Sequence, residues 1–302
     1  MKNIRKSSQV LASLAAIAML ALTGCSDPEA ALSEGSDEKS QERPTAEFNQ
    51  EAADLLPADV KKKGTLEVAT TMGMAPLGYP DPKSGEVVGL NPDIMAAIGE
   101  VLGLKVTMKA ASMDQIIPGI QAGRYDATAA NMAITDDRIK VLDFVQYYFA
   151  NSSLAQPKGN PKNITADTLC DKSVGLEVGS FQFTEVMPVK SKACAEAGDQ
   201  PIDVQGFPDQ QKALSALDSG RVDAVAGDTP ILLYAANLND KIEVGDALTD
   251  GSILGIGVDK KSPMTEAIAA AMNDLIDSGV YQKTMEMYGV GDLAIDHAEI
   301  KK

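Results

Sequence analysis

The sequence predicts an α/β fold in two similar lobes, each a mostly parallel sheet flanked by helices. Three observations carry this expectation. Strand-like and helix-like stretches alternate between residues 65 and 130. A five-residue pattern, Gly123-Arg124-Tyr125-Asp126-Ala127, returns further along as Gly220-Arg221-Val222-Asp223-Ala224. The 302 residues, 44% of them hydrophobic, suffice for two cores, since a domain runs to about 100–200 residues.

The chain opens with a basic stretch holding Lys2, Arg5 and Lys6, and Val10 to Leu22 is an apolar run. That run is too short to span a membrane and suits the hydrophobic region of a signal peptide. It closes on Leu22-Thr23-Gly24-Cys25, which resembles the bacterial lipobox. The resemblance implies removal of the head of the 1–25 signal peptide and lipidation of Cys25. The mature chain is then expected on the extracellular side of the cytoplasmic membrane, anchored by lipid rather than by a helix. Export leaves Cys170 and Cys194 as a pair in an oxidising setting, where a disulfide is expected and two buried thiols are the alternative. Residues 26–63 are expected to form an acidic flexible linker, with a short helix over Glu51–Lys63 just before the globular body.

The body starts at Gly64. Thr65 to Thr70 alternates with period two, as a strand does. Asn91-Pro92-Asp93 reads as a helix start with Asn91 as N-cap, and Ile94, Ile98 and Leu102 recur every four residues up to Gly103. A strand over Lys105–Met108, a helix over Met113–Ala122 and a strand over Tyr125–Ala130 follow. Alternation at these lengths implies parallel strands with right-handed crossovers. In both copies of the repeat Gly ends an amphipathic helix and Asp-Ala opens an apolar strand. Counting onward from each Gly puts Asn131 and Asp228 at equivalent places just past a strand's carboxyl end, where open α/β sheets bind ligands. Ser173–Leu176 and Ser252–Asp259 read as strands, and helices over Pro263–Ser278 and Val280–Tyr288 return to the first lobe. The expected division is 64–152 with 255–302 as lobe 1 and 153–254 as lobe 2. Two connections, near Tyr148–Pro157 and Asp250–Gly257, would form a hinge.

Composition narrows the function. Against 27 Lys and Arg stand 43 Asp and Glu, a net charge of −16; such a surface repels phosphate backbones, so no nucleic-acid partner is expected. The single histidine, His297, excludes His-based metal clusters and Ser–His or Cys–His catalysis. Trp is absent and aromatics are 4%, which counts against a sugar site built on stacked rings. Gly289-Val290-Gly291-Asp292-Leu293-Ala294 has dinucleotide-motif spacing, but it follows a helix and has no room for a βαβ unit. Neither a cofactor nor a metal is expected.

Three places could hold a ligand. Thr135-Asp136-Asp137-Arg138 reads as an N-cap and a first helical turn, where a cation is out of place unless it meets an anion. Arg138 therefore either takes a ligand carboxylate bidentately or pairs locally with Asp136 or Asp137. At Gly179-Ser180, backbone N–H groups of a helix start suit an anion, or Ser180 simply caps the helix. Asp228 can accept an ammonium group or cap the helix after Thr229-Pro230.

From Gly64 to about Gly289 the chain resembles the family 3 extracellular solute-binding proteins, the amino-acid-binding components of ABC importers. The matching motifs are Gly64-Thr65-Leu66-x-Val68-Ala69, Gly89-Leu90-x-x-Asp93-Ile94, Met132-Ala133-Ile134-Thr135-Asp136-Asp137-Arg138 with Asp143-Phe144, and Val174-Gly175-x-x-x-Gly179-Ser180-x-Gln182, besides the repeated Gly-Arg-x-Asp-Ala. The resemblance implies a two-lobed, periplasmic-binding-protein-like (type II) fold with a two-strand hinge. It assigns the ligand's α-carboxylate to Arg138, assisted near Ser180, and its α-ammonium to Asp228. Asn131, Ala133, Phe181, Thr71 and Met74 complete the expected pocket. Thr71 stands where basic-ligand members carry an acid, and Met74 where an aromatic often stacks, so an uncharged tail is expected. The expected protein is a monomeric, non-enzymatic receptor that delivers a zwitterionic amino acid or opine-like compound to an ABC permease. A dehydratase of the same fold and a sensory ligand-binding domain are the alternatives.

Overall fold

A computed structural model describes residues 43–71, 73 and 75–302. The expected signal peptide, Cys25, residues 26–42 of the expected linker, and Met74 lie outside the described residues. Residues 43–63, the remainder of that linker, are docked on the body. Arg43 pairs with Glu100 and approaches Asp93. Asn49 caps a helix, α1 (Gln50–Asp54), its Oδ1 accepting from the N–H groups of Glu51 and Ala52. Ala52 and Leu56, four residues apart, enter the core of the first half. A second turn, α2 (Ala58–Lys63), ends at Gly64 in the left-handed conformation. An apolar i, i+4 pair and one well-placed arginine thus hold this polar segment on the body.

The first half runs β1 (Thr65–Thr70), β2 (Tyr79–Pro80), β3 (Val87–Val88), α3 (Leu90–Leu102), β4 (Lys105–Ala110), α4 (Met113–Gln121), β5 (Ala127–Thr128), α5 (Asp136–Ile139) and β6 (Leu142–Ala150). The cap of α3 is Gly89, not Asn91. The N–H groups of Leu90 and Asn91 bond the carbonyls of Pro76 and Leu77. A Cβ at residue 89 would lie 2.9 Å from both of those oxygens, and φ there is +126°, so the close approach needs glycine. Asn91 is drawn into the first turn and buried.

The second half runs β7 (Ser152–Pro157), β8 (Ser173–Glu177), a π-helical turn (Gln182–Val186) leading into α6 (Met187–Ala197), β9 (Asp203–Phe207), α7 (Gln210–Asp218), β10 (Ala224–Asp228), α8 (Thr229–Leu238) and β11 (Ile242–Ala247). The chain then returns through β12 (Ser252–Asp259), α9 (Met264–Asp277), α10 (Val280–Met287) and β13 (Ile300–Lys301).

Two mixed sheets result, with strand orders β13-β6-β12-β5-β1-β4 and β11-β7-β10-β8-β9. Each is built on three parallel strands, β5-β1-β4 in one and β10-β8-β9 in the other. Beside each trio lies an antiparallel strand, β12 on β5 and β7 on β10. Both arrive from the opposite half, so the chain passes between sheets twice, at Asn151 and between Ala247 and Ser252. Because β6 pairs with β12 and β7 with β11, the crossings lie side by side in one antiparallel ribbon. Leu248 N–H donates to Ser152 O (2.7 Å) where they meet. Helices cover both faces of each sheet, and apolar clusters fill all four interfaces. Cys170, ahead of β8, is joined to Cys194 on α6 by a disulfide with Cα atoms 5.6 Å apart.

Candidate ligand-binding site

Parallel strands that end at one edge place their following loops together. Here both trios end at a single cavity. Thr71, Asn131, Ala133 and Arg138 line it from the first half, and Ser180, Phe181 and Asp228 from the second.

Arg138 sits in the short turn α5, capped by Thr135, whose Oγ1 accepts from Arg138 N–H (3.3 Å). Its guanidinium donates from Nη1 to Ala133 O (2.9 Å) and from Nη2 across to Gly179 O (2.9 Å) on the second half. Asp137 pairs with Lys140 instead, and among the described residues no carboxylate lies within ion-pair distance of Arg138. The local ion pair that the sequence allowed is therefore not formed. Burial pulls the Arg138 pKa down, and the negative charges of Glu185 and Asp228 oppose it; a guanidinium nevertheless stays charged.

Asp228 closes β10 and stands at the start of α8, but its carboxylate does not cap that helix. Its Oδ1 accepts from Gln182 Nε2 (3.0 Å), which also donates to Ser152 Oγ (2.7 Å). Burial pushes Asp228 up to about 6, against the Gln182 hydrogen bond and the Arg138 charge. Opposite charges thus face one cavity without touching. Among the described residues neither has an opposite charge within ion-pair distance, and withdrawing a charge from water without one costs free energy.

Ser180 does cap: its Oγ accepts from Phe183 N–H (3.2 Å), and its own N–H is spent on Glu177 O (3.2 Å). Asn131 takes the left-handed conformation at φ 54°, a strain that persists only where surroundings impose it. Here Asn131 N–H donates to the Tyr147 hydroxyl, while its Oδ1 accepts from Asn91 Nδ2 (2.8 Å) and from the Tyr148 hydroxyl. Burial raises both tyrosine pKa values, so the hydroxyls keep their protons.

Glu177, Gln182 and Asn91 carry roles that the sequence reading did not give them. Glu177 ends β8 and lines the same cavity. No hydrogen-bond donor reaches its carboxylate among the described residues. Burial, followed by the charges of Asp228, Asp209 and Asp114, pushes it up to about 8. Its register explains the omission: the strand was expected to end at Leu176. Gln182 belonged to a recognised motif, and only the structure shows it steadying Asp228.

A two-lobed α/β protein with a polar cavity at its strand ends is the architecture of the type II solute-binding proteins. Residues 66–291 match the bacterial extracellular solute-binding proteins, family 3, and the chain belongs to that family. An arginine-binding protein of Corynebacterium glutamicum is 27% identical over 249 residues, covering 82% of each chain. A glutamine-binding protein of Geobacillus stearothermophilus is 27% identical over 265 residues, 86% of this chain and 95% of the relative. The solved structure of an ancestral arginine-binding protein bound to arginine superposes with a TM-score of 0.68 at 33% identity, over 74% of this chain and 98% of that one. Among the described residues no helix is long and apolar enough to cross a membrane.

Proposed function

We propose that this chain binds an amino acid between its two halves and delivers it to an ABC importer. The observation that carries the reading is the pair Arg138 and Asp228, half-buried on one cavity, opposite in charge, contributed by different halves and without an ion-pair partner among the described residues. A free α-amino acid presents the complement, a carboxylate for the guanidinium fork and an ammonium for the aspartate. The names of the relatives, arginine- and glutamine-binding, agree with an amino-acid ligand. Gln182 holds the Asp228 carboxylate in position, and the Asn91–Asn131–Tyr148 network fixes the opposite wall. Ligand contacts that reach both halves favour the shut arrangement, and that differential affinity draws the two together. The side-by-side crossings at Asn151 and residues 248–251 are the natural hinge.

The same reading puts the receptor outside the cytoplasmic membrane as a monomer tethered through lipid at Cys25, so Cys25→Ala should abolish its labelling by a fatty-acid probe in cells. Ligand binding is tested by a thermal-shift screen of amino acids on the full chain. A ligand at about a hundred times its Kd stabilises by about 2.7 kcal/mol. At least one amino acid should raise Tm, and Arg138→Ala should abolish that rise while leaving the ligand-free Tm within a few degrees. A rise that survives the substitution contradicts the assignment.

A further inference from the structure

We propose that Glu177 selects the ligand's side chain and that the side chain it selects is cationic, so that a basic amino acid is held by three charges rather than two. The inference rests on the amino-acid reading above and adds the class of side chain to it.

Charge balance within the cavity is the first ground. Arg138, Asp228 and Glu177 all line it, and none is within ion-pair distance of an opposite charge among the described residues. The carboxylate and ammonium of an amino acid satisfy the first two. With a neutral side chain Glu177 keeps its proton and gains no ionic partner, whereas a cationic side chain pairs with its ionised form and closes the balance.

Placement is the second ground. Glu177 ends β8, and Asp228 ends the parallel neighbour β10. The two carboxylates therefore share the second half's wall, facing the half that supplies Arg138. A ligand fixed at its α-carbon between Arg138 and Asp228 can extend its side chain along that wall to Glu177. The expectation of an uncharged tail rested on Thr71, on the opposite half, and on Met74, and did not include Glu177.

The surroundings of Glu177 match this role. Asp228 on β10, Asp209 ahead of α7 and Asp114 on α4 of the first half all bear on it with like charge. Glu185 on the π-helical turn acts on Arg138, the cation of the cavity. In the empty site these carboxylates and burial keep a proton on Glu177 up to about pH 8. A cationic side chain displaces that proton, so affinity for a basic amino acid should rise with pH through this range. A neutral amino acid gains nothing from the same ionisation.

The test is titration of the full chain and of Glu177→Gln with L-arginine, L-lysine, L-glutamine and L-citrulline, the last matching arginine in length with an uncharged ureido end. At a pH above about 8 the wild type should bind arginine or lysine at least about tenfold more tightly than citrulline and glutamine. That preference should shrink as the pH falls below about 8, and Glu177→Gln should remove it by bringing arginine and lysine down to the affinity of citrulline, a cooperative thermal transition showing that the variant folds. Citrulline or glutamine bound as tightly as the basic amino acids, or a preference that survives Glu177→Gln, overturns the proposal and leaves the amino-acid reading standing. Failure of all four to bind also overturns the proposal, and the amino-acid reading then stands or falls on the thermal-shift screen.

Discussion

The two halves are copies at one end of their sheets and strangers at the other. At the shared end, Gly123 and Gly220 both take the left-handed conformation, with φ 69° and 71°. Asp126 Oδ2 accepts from Glu67 N–H and pairs with Lys63. Asp223 does the same with Ser173 N–H and Lys162. The arginine of each motif lies over an aromatic ring, Arg124 over Tyr125 and Arg221 over Phe207. At the cavity end the equivalent positions diverge into a neutral amide, Asn131, and a carboxylate, Asp228. The repeated motif is scaffold, for none of its residues lines the cavity. What differs between the halves is the chemistry offered to the ligand, one half supplying a cation and the other anions.

The largest expected effect comes from the divergent end. Removing one member of a buried charged set costs about 2–5 kcal/mol, so Asp228→Asn should weaken amino-acid binding by about a hundredfold or more, measured by calorimetry. Asn131→Ala, on the neutral edge, should cost about tenfold or less. The two substitutions should also separate by pH. Asp228 has a raised pKa in the folded state, so the fold binds its proton more tightly than the unfolded chain does. Ligand-free stability should therefore fall as pH rises from about 4 to about 6. Asp228→Asn should reduce that slope, Glu177 supplying the remainder, and Asn131→Ala should leave it intact.

Next in size is the disulfide, present only in the second half. Its 24-residue separation stabilises by about 3.5 kcal/mol in the chain-entropy model. Reduction should expose the amides of β8 and β9 to hydrogen exchange before those of β1 and β4; simultaneous loss of protection would show that the halves unfold as one unit. Asp126→Ala and Asp223→Ala should each lower stability by about 1–3 kcal/mol, through a lost backbone hydrogen bond and ion pair, without changing ligand affinity. Markedly unequal losses would break the structural equivalence. The smallest effects belong to glycine. Gly123→Ala and Gly220→Ala meet open space and only backbone strain, at about 1 kcal/mol each. Gly179→Ala adds a contact at 3.1 Å to Asp114 N, across the two halves; it should weaken binding as well, where the other two do not.

Much of this arrangement could be read in the residues. Alternation and the repeated motif marked the parallel trios, and a cation on a first helical turn marked Arg138, because helix dipoles disfavour it there. Seven of the eight pocket positions expected from sequence line one cavity, the eighth being Met74. The apolar docking of residues 43–63 was masked by their acidic and polar neighbours, which read as linker. Asn91 passed for a cap because its residue type fits one, and nothing local reveals that the Pro76–Leu77 backbone claims the preceding N–H. Glu177 was missed for a register reason: whether the last residue of a strand faces the cavity depends on where pairing stops, which local alternation does not determine.

The central claim is that Arg138 of one half and Asp228 of the other hold opposite ends of the same small molecule. It is tested most directly by titrating wild type, Arg138→Ala and Asp228→Asn with a bound amino acid, its decarboxylated amine and its deaminated acid. Arg138→Ala should lose the preference for the amino acid over the amine, and Asp228→Asn the preference over the acid, each keeping the other discrimination. Equal discrimination at both ends in all three proteins would contradict the account.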